Sequence, residues 1–462
     1  MQLMELYNQM QNPLANPKTI DKLISFYAKS DDSRDFYNNL ITRNKRGDSA
    51  SPPMEDWDAF VKITFNKWKN SLVAKFEKVI EEYSKGDIDK EKYDDLIETY
   101  NIMRKIPDVK TRKEAYDICS AEYNNRNVKE FFKLYEKKCL DVNAYEFRHA
   151  SSAFSLIKTQ PDVDVEHRLY LNVDIKDVYK LAVYLIEKFE KYDLPYQFKF
   201  SSYLQRNDSL VIYSSTEYLT KYIEILKEIK NEHQNLESSI FEPIIFSGTI
   251  DNWIGYGSEP EEKDSFNNKR SKIVYSVIDE TMKKWLIDHK ESPITFRGKN
   301  LTFKHILVMR SLDILINRLA EPCEYLSSKY LGYTIEDIKS IEFKTKAYRV
   351  IYSNLDELLE SAYNDNSDEI EKDIIELENG KKICFEGTDL EKVIKFLAPN
   401  ISRTNPTINK SIVEKITAVS DQYGIDPQKF CFDTSRVEKM KLVDIQMSDI
   451  ANDSLHGTNK KR

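Results

Sequence analysis

The segments HRLYLNVD (residues 167–174), YQFKF (196–200) and QRNDSLVIYSS (205–215) decide the fold. Each is rich in β-branched and aromatic residues and adjoins polar turn residues, which is the pattern of a short strand. The residues between the first two segments, and those after the third, carry apolar side chains at helical spacing. The stretch therefore predicts a small sheet with helices packed against it.

Polar side chains occupy regular places in these strands. Because side chains alternate along a strand, Arg168, Tyr170 and Asn172 are expected to share one face. Lys199 lies between two phenylalanines, and Arg206 lies in the turn before the third strand. Taken singly, such residues are usually solvent-facing members of strands and turns. Taken together, cations and a tyrosine around one sheet suit the binding of a phosphate and the movement of a proton.

The composition is that of a globular chain. Its 462 residues suffice for about two to four domains. Aromatic residues make up 12% of the chain, which argues against wholesale disorder. The net charge of −8 excludes a chain held to nucleic acid by phosphate contacts over its whole surface. The sequence has no run of about 18 apolar residues for a membrane span and no conventional signal peptide. We therefore expect a cytoplasmic protein.

Metal, nucleotide and hydrolase motifs are absent from the sequence. The five cysteines include no CxxC pair, and the six histidines show no metal-ligand spacing. No Walker loop, GxGxxG, HExxH or GxSxG motif occurs. The cysteines are therefore interpreted as reduced cytosolic thiols, and no metal or cofactor is predicted.

The chain is predicted to have an α+β fold. Asn16-Pro17 predicts a helix start, 126–138 a further helix, Asp174 a helix cap, and Asn379-Gly380 the type I′ turn of a hairpin. The predicted regions are a helical N-terminal domain (1–155), a core with a small mixed sheet flanked by helices (156–298), a mainly helical C-terminal region with a β-hairpin (299–447) and a disordered tail (448–462).

The order of the motifs resembles the HopA-type effector family. The motifs are an RxYxN strand, a helix, an FKF strand, an RxDxxVxY strand and the block FEPIIFSGTIDNWIGYGSEPEEKDSFNNKR (241–270), and the resemblance covers roughly 160–285. That family includes type III secreted effectors of plant pathogens. It also includes the stand-alone lyase subunits of class V lanthipeptide and thioamitide biosynthesis.

The resemblance implies a phosphothreonine or phosphoserine lyase. Such an enzyme eliminates phosphate from an already phosphorylated side chain and leaves a dehydroamino acid. The reaction needs a base for the α-proton, positive charge for the developing enolate oxygen, and cations for the leaving phosphate. The implied partners are a phosphorylated precursor peptide and a separate Ser/Thr kinase, because nothing in this chain resembles a kinase nucleotide site.

Roles for individual residues follow from this chemistry. Lys199 is the candidate base, and partial burial and nearby cations would favour the neutral amine that a base requires. Tyr170 is the leading candidate for the acid, with His167 as the substitute. Gly255 and Gly257 are expected to let a loop approach the peptide substrate closely. The residues expected to bind phosphate or substrate are Arg168, Asn172, Arg206, Lys269 and Arg270, with Asp208 orienting Arg206.

Two other functions remain open. The chain could keep the fold as a non-catalytic phosphopeptide- or peptide-binding scaffold, which the tyrosine at the acid position favours slightly. It could also be an effector lyase that acts on host phosphoproteins, which changes the partner and not the chemistry. In the leading interpretation, the helical residues 1–150 bind the precursor's leader or dock the kinase.

Overall fold

The structure is a computed structural model that divides into two compact units. Unit 1 comprises Met1–Pro13, Leu40–Phe266 and Gly424–Arg462, and unit 2 comprises Leu14–Asn39 and Asn267–Tyr423. The predicted helix over 126–138 and the predicted turn at Asn379-Gly380 lie outside the described residues, and the predicted domain limits stay predictions. The residues that the structure describes are 2–42, 52–85, 90–115, 146–151, 154–159, 164–201, 206–261, 265–296, 298–320, 335–364, 373–376, 382–385 and 388–457.

One sheet of eight strands forms the centre of unit 1. The order across the sheet is β1-β2-β4-β5-β3-β8-β7, and β6 pairs with the end of β3. Every pairing among these strands is antiparallel, so the α+β class is confirmed and the sheet predicted as mixed is antiparallel. The strands are β1 (Glu146–Ser151), β2 (Phe154–Lys158), β3 (His167–Val173), β4 (Gln197–Ser201), β5 (Leu210–Ser214), β6 (Ile240–Phe241), β7 (Gly248–Ile250) and β8 (Ile254–Ser258).

Strands β3, β4 and β5 coincide with the strands predicted over 167–173, 196–200 and 209–214 to within one residue at each end. The sheet also extends beyond them on both sides. Strand β1 lies within the part of the chain predicted to be helical, and β6, β7 and β8 lie in a segment for which no strand was predicted. Glycine is unfavourable in strands, and β8 reads IGYGS, so its composition conceals its strand character.

Helices connect and flank the strands. In unit 1, α6 packs against α4, α7 and β4. The described helices are α1 (Leu3–Gln9), α2 (Pro17–Tyr27), α3 (Ser33–Ile41), α4 (Met54–Tyr83), α5 (Lys90–Arg104), α6 (Val178–Lys191), α7 (Leu219–Glu232), α8 (Phe266–His289), α9 (Phe303–Ala320), α10 (Ile335–Lys339), α11 (Ile341–Asn364), α12 (Thr388–Thr404), α13 (Pro406–Ser420) and α14 (Thr434–Gly457). Within this described set, none combines the length and apolar character needed to cross a membrane.

Aromatic contacts hold α4 and α6 on the apolar face of the sheet. The ring centroid of Phe60 on α4 lies 5.0 Å from that of Phe200 on β4, edge to face. Tyr179 on α6 contacts the same phenylalanine at 5.2 Å. The predicted cap Asp174 does not begin α6, which starts after Asp177. Its carboxylate instead accepts a hydrogen bond from the Lys176 N–H, because a turn separates β3 from the helix.

The C-terminal segment of unit 1 caps both ends of α1. The Asp444 carboxylate accepts hydrogen bonds from the N–H groups of Leu3 (3.0 Å) and Met4 (2.7 Å) at the helix start. At the other end, the Lys429 ammonium donates to the Met10 carbonyl at 2.6 Å. These are the backbone groups that a helix leaves unpaired, and the charges complement the helix dipole. Helix α1 and the segment that contains Lys429 and Asp444 are therefore packed together within unit 1.

Unit 2 is mainly helical. Helix α12 packs against α2, α9, α11 and α13. The predicted start of α2 is confirmed, because the Asn16 side chain accepts a hydrogen bond from the Lys18 N–H. A partly buried network joins distant parts of the unit: Tyr27 donates to Asp279 at 2.6 Å, and Lys283 pairs with Asp279 and with Glu391, each at 2.9 Å.

The structure confirms the predicted β-hairpin and differs from the predicted disordered tail. Strands β11 (Asp373–Glu376) and β12 (Lys382–Phe385) form the predicted hairpin, and β9 (Pro293–Phe296) with β10 (Lys299–Thr302) forms another. Helix α14 continues to Gly457, so residues 448–457 are helical where disorder was predicted. No proline or glycine interrupts this helix before its end, which is compatible with helix formation.

Candidate functional site

The register of the sheet places the predicted polar residues on one face. Lys199 on β4 is directly opposite Val211 on β5, and Val211 is opposite Tyr170 on β3. In the same way, Arg168 is opposite Tyr213. Directly opposite residues project to the same side of a sheet. Lys199, Tyr170, Arg168 and Tyr213 therefore share one face, which we call the polar face.

The ring of Tyr213 lies beside two cations on the polar face. The Arg168 Cζ atom lies 5.2 Å from the ring centroid, and the Lys199 Nζ atom lies 5.8 Å from it. Both distances are within the range of cation–π attraction. Tyr213 was not predicted as a site residue, although it is the final residue of the RxDxxVxY motif. Its ring lies between the candidate base Lys199 and Arg168.

Arg168 forms a two-point ion pair with Glu259. Its Nε contacts Oε2 and its Nη2 contacts Oε1 of the carboxylate. The side chain of Arg168 is 9% exposed and that of Glu259 is 18% exposed. Bidentate pairing of this kind is the geometry with which arginine also binds phosphate. Sequence reasoning did not identify Glu259, which lies 91 residues from Arg168 and reaches it through the pairing of β3 with β8.

The hydroxyl of Tyr170 is buried beside this ion pair. Tyr170 is 1% exposed, and its ring centroid lies 5.6 Å from that of Phe266. Among the described residues, its hydroxyl has no hydrogen-bond partner. Burial raises the pKa of this hydroxyl above its ordinary value, against a lowering effect of the Arg168 charge. Tyr170 is therefore protonated across the physiological pH range.

The two glycines of β8 serve packing within unit 1. Gly255 is opposite Tyr170, and Gly257 is opposite Arg168. A Cβ at Gly257 would lie 2.5 Å from the Phe266 ring, and one at Gly255 would lie 2.7 Å from the Ser247 hydroxyl. The expectation that Gly255 and Gly257 let a loop approach the peptide substrate closely is therefore wrong, because both lie in strand β8 and protein side chains occupy the space beside them.

Arg206, Asp208 and Asn172 lie at the end of the sheet where Leu171 pairs with Leu210. In the turn before β5, Arg206 Nε donates to Asp208 Oδ1 at 2.8 Å and Nη2 donates to Oδ2 at 3.2 Å. Asp208 thus fixes the direction of Arg206. The Asn172 amide nitrogen donates to the Glu242 carbonyl at 2.8 Å, and its Oδ1 has no hydrogen-bond partner among the described residues.

Lys269 and Arg270 belong to unit 2. Both lie in the first turns of α8, where Lys269 is 8% exposed and Arg270 is completely buried. Full burial of an arginine is rare unless an anion or hydrogen-bond acceptor compensates its charge. Their predicted role in binding phosphate stays a prediction.

His167 lies on the opposite face of β3 from Tyr170. It is completely buried, and both ring nitrogens are paired: Nε2 with the Thr216 hydroxyl at 3.0 Å and Nδ1 with the Tyr256 hydroxyl at 2.8 Å. The Thr216 hydroxyl donates its proton to the Glu166 carboxylate at 2.7 Å. It must therefore accept from His167, which assigns the proton to Nε2 and leaves Nδ1 to accept from Tyr256.

The environment keeps His167 neutral and Glu166 ionised. Burial lowers the pKa of His167 to about 3, with the charges of Arg436 and Lys439 adding to the effect. Burial alone would raise the pKa of Glu166, but hydrogen bonds from Lys439 and Thr216 outweigh it and hold the pKa at about 2. This cluster joins β3 to α14. We therefore assign His167 and Glu166 a structural role.

The stability of the protein is expected to fall on acidification because of this cluster. The unfolded chain takes up protons at His167 below pH about 6.5 and at Glu166 below pH about 4.3, whereas the folded protein does so only near pH 3 and 2. The unfolded state then binds more protons, so the free energy of unfolding decreases as the pH falls. Urea unfolding at pH 7.0 and 5.0 measures this decrease. His167→Gln should weaken the pH dependence, and an unchanged dependence would contradict the prediction.

Metal ligands are not grouped in the part of the chain that the structure describes. Among those residues, no group of three or more His, Cys, Asp or Glu side chains could hold an ion. The functional groups of the polar face are cations, a protonated phenol and an aromatic ring. They can bind an anion and transfer protons.

Comparisons with known proteins show what this chain is similar to. A solved structure with similarity to it is the effector protein from Pseudomonas syringae pv. syringae strain 61, with 12% sequence identity, a TM-score of 0.30, and coverage of 56% of this chain and 88% of that one. No curated protein matches the sequence. Residues 141–294 match the model of the HopA1 effector protein family. This match includes β1 to β8 and confirms the family resemblance that the strand motifs indicated.

Proposed function

We propose that the polar face of unit 1 catalyses the β-elimination of phosphate from phosphorylated threonine or serine in a peptide. The observation that carries the proposal is the meeting of Lys199 and Arg168 at the Tyr213 ring, beside the protonated hydroxyl of Tyr170. A base and a fixed positive charge are groups that the reaction needs, and a proton donor assists the departure of phosphate.

The elimination can be written in terms of these groups. The Lys199 amine takes the α-proton of the phosphorylated residue. The electron pair of the broken C–H bond forms the Cα=Cβ double bond as the Cβ–O bond breaks. Phosphate leaves with the electron pair of that bond and receives a proton from Tyr170. Phosphothreonine gives dehydrobutyrine and phosphoserine gives dehydroalanine, and no water is consumed.

Arg168 has the electrostatic role in this scheme. Its guanidinium is buried and held by Glu259 and Tyr213, so it is oriented before substrate binds. A fixed charge in a site of low dielectric stabilises a developing oxyanion more strongly than the same charge in water does. Arg206 is the second phosphate-binding candidate within the unit. His167 is less suited to be the acid, since it lies on the other face with both nitrogens paired.

The partners follow from the proposed reaction. The substrate must already carry phosphate, so a kinase must act first, and we propose that a separate Ser/Thr kinase and a precursor peptide work with this chain. A lyase acting on host phosphoproteins would use the same groups. Comparing a Ser/Thr-rich precursor phosphopeptide with a phosphopeptide from a signalling protein separates the two, because the natural class should give the higher kcat/KM.

Mass spectrometry of a phosphothreonine peptide tests the proposed function. We expect the intact protein, without added metal or nucleotide, to convert it to the product that has lost phosphoric acid. The unphosphorylated peptide is the control and should stay unchanged. Binding of the phosphopeptide without any elimination would overturn the lyase and favour the non-catalytic scaffold.

A further inference from the structure

We propose that the Glu259 carboxylate occupies the position on Arg168 that the substrate's phosphate takes, and that phosphate must displace it. The inference rests on the proposed function, which it extends to the regulation of the same site. In the absence of substrate, the polar face then carries its own competing anion. Only a ligand that pairs better with Arg168 can replace it.

In the ion pair, Arg168 is fixed and the Glu259 side chain is able to move away. Arg168 projects from the middle of the sheet between β5 and β8 and also contacts the Tyr213 ring. Glu259 is the first residue after β8, and its side chain is twice as exposed as that of Arg168, 18% against 9%. Exchange therefore needs movement of the glutamate and not of the arginine.

The backbone of Glu259 is held independently of its side chain. Its N–H donates to the Glu166 carbonyl at 2.8 Å, and its own carbonyl accepts from Arg436 Nε at 3.4 Å. The side chain can thus rotate towards solvent while these backbone contacts persist. Rotation of a partly exposed side chain is fast compared with typical enzyme turnover, so displacement need not limit the rate.

A phosphate ester has one more oxygen atom available for hydrogen bonds than the Glu259 carboxylate, which favours binding of phosphate at Arg168. Both oxygens of Glu259 are engaged by Arg168, while the neighbouring Tyr170 hydroxyl has no hydrogen-bond partner among the described residues. A phosphate ester has three non-bridging oxygens. Two can replace the carboxylate on the guanidinium fork, and the third can accept from Tyr170. The buried Tyr170 hydroxyl, which Glu259 leaves without an acceptor, would then donate to the phosphate.

Glu259→Gln tests the proposal, because the amide keeps the shape of the side chain and removes its charge. We expect the variant to bind inorganic phosphate at least about fivefold more tightly in calorimetry, and KM for the phosphopeptide to fall by a similar factor. Glu228→Gln is the matched control. It makes the same change in net charge at the Lys188 ion pair on α6, and its phosphate affinity should equal that of the wild type.

A second variant keeps the test decisive if Glu259→Gln does not fold. Glu259→Asp retains the charge but shortens the side chain, so it should pair with Arg168 more weakly and bind phosphate more tightly than the wild type. Unchanged or weaker phosphate binding by a folded variant would overturn the proposal, even if the wild type is an active lyase. Tighter phosphate binding by the variants, together with no elimination by the wild type, would support the proposal and refute the proposed function.

Discussion

Lys199→Met should lower the rate of phosphate elimination by about 1,000-fold, within the range observed for loss of a general base. The methionine keeps the length of the side chain beside Tyr213 but cannot accept a proton. Phosphopeptide binding should change much less than kcat, because Arg168 remains in place on β3. Single-turnover mass spectrometry with saturating enzyme measures the chemical step directly.

Lys191→Met controls for the loss of a positive charge. Lys191 lies at the end of α6 and is largely exposed, with 59% of its side chain accessible, so its replacement should leave elimination unchanged. If Lys199→Met retained the wild-type rate, Lys199 would not be the base, although another residue could still make the protein a lyase.

Tyr170→Phe should make the protein more stable and less active at once. The hydroxyl is buried without a hydrogen-bond partner among the described residues, so its removal should raise the free energy of unfolding by about 1 kcal/mol. The same change removes the proposed acid and should lower elimination about 100-fold. Chemical denaturation and the mass-spectrometric assay measure the two effects on one preparation.

Tyr196→Phe is the matched control for this variant. Tyr196 is also buried, but its hydroxyl donates to Glu190 at 3.0 Å. Its removal should lower the free energy of unfolding by about 1 kcal/mol and leave elimination unchanged. If Tyr170→Phe behaved in the same way as Tyr196→Phe, Tyr170 would be a structural residue and the acid would lie elsewhere.

The sequence predicts the centre of the sheet and not its edges. Strands β3, β4 and β5 have the alternation and β-branched composition that mark a strand on its own. Strand β8 does not, because Gly255 and Gly257 lower its strand propensity; the second of them makes room for the Phe266 ring. Its place beside β3 depends on a pairing between distant segments, which no local pattern encodes.

The same distinction applies to the candidate site. The shared face of Arg168 and Tyr170 follows from local alternation, so the sequence predicts it. Glu259 reaches Arg168 only through the β3–β8 register, so sequence reasoning missed the residue that most changes the interpretation of this arginine. The neutral state of His167 was also hidden, since it results from burial and from charges on α14.

The capping of α1 by Asp444 and Lys429 has a consequence for synthesis of the protein. Leu3 and Asp444 are separated by 441 residues, which a ribosome adding about 5–20 residues per second needs roughly 20–90 s to translate. A helix as short as α1 is marginal in water by itself. Helix α1 is therefore expected to form only after Lys429 and Asp444 have left the ribosome. Closure of unit 1 is then expected to follow the synthesis of Lys429 and Asp444.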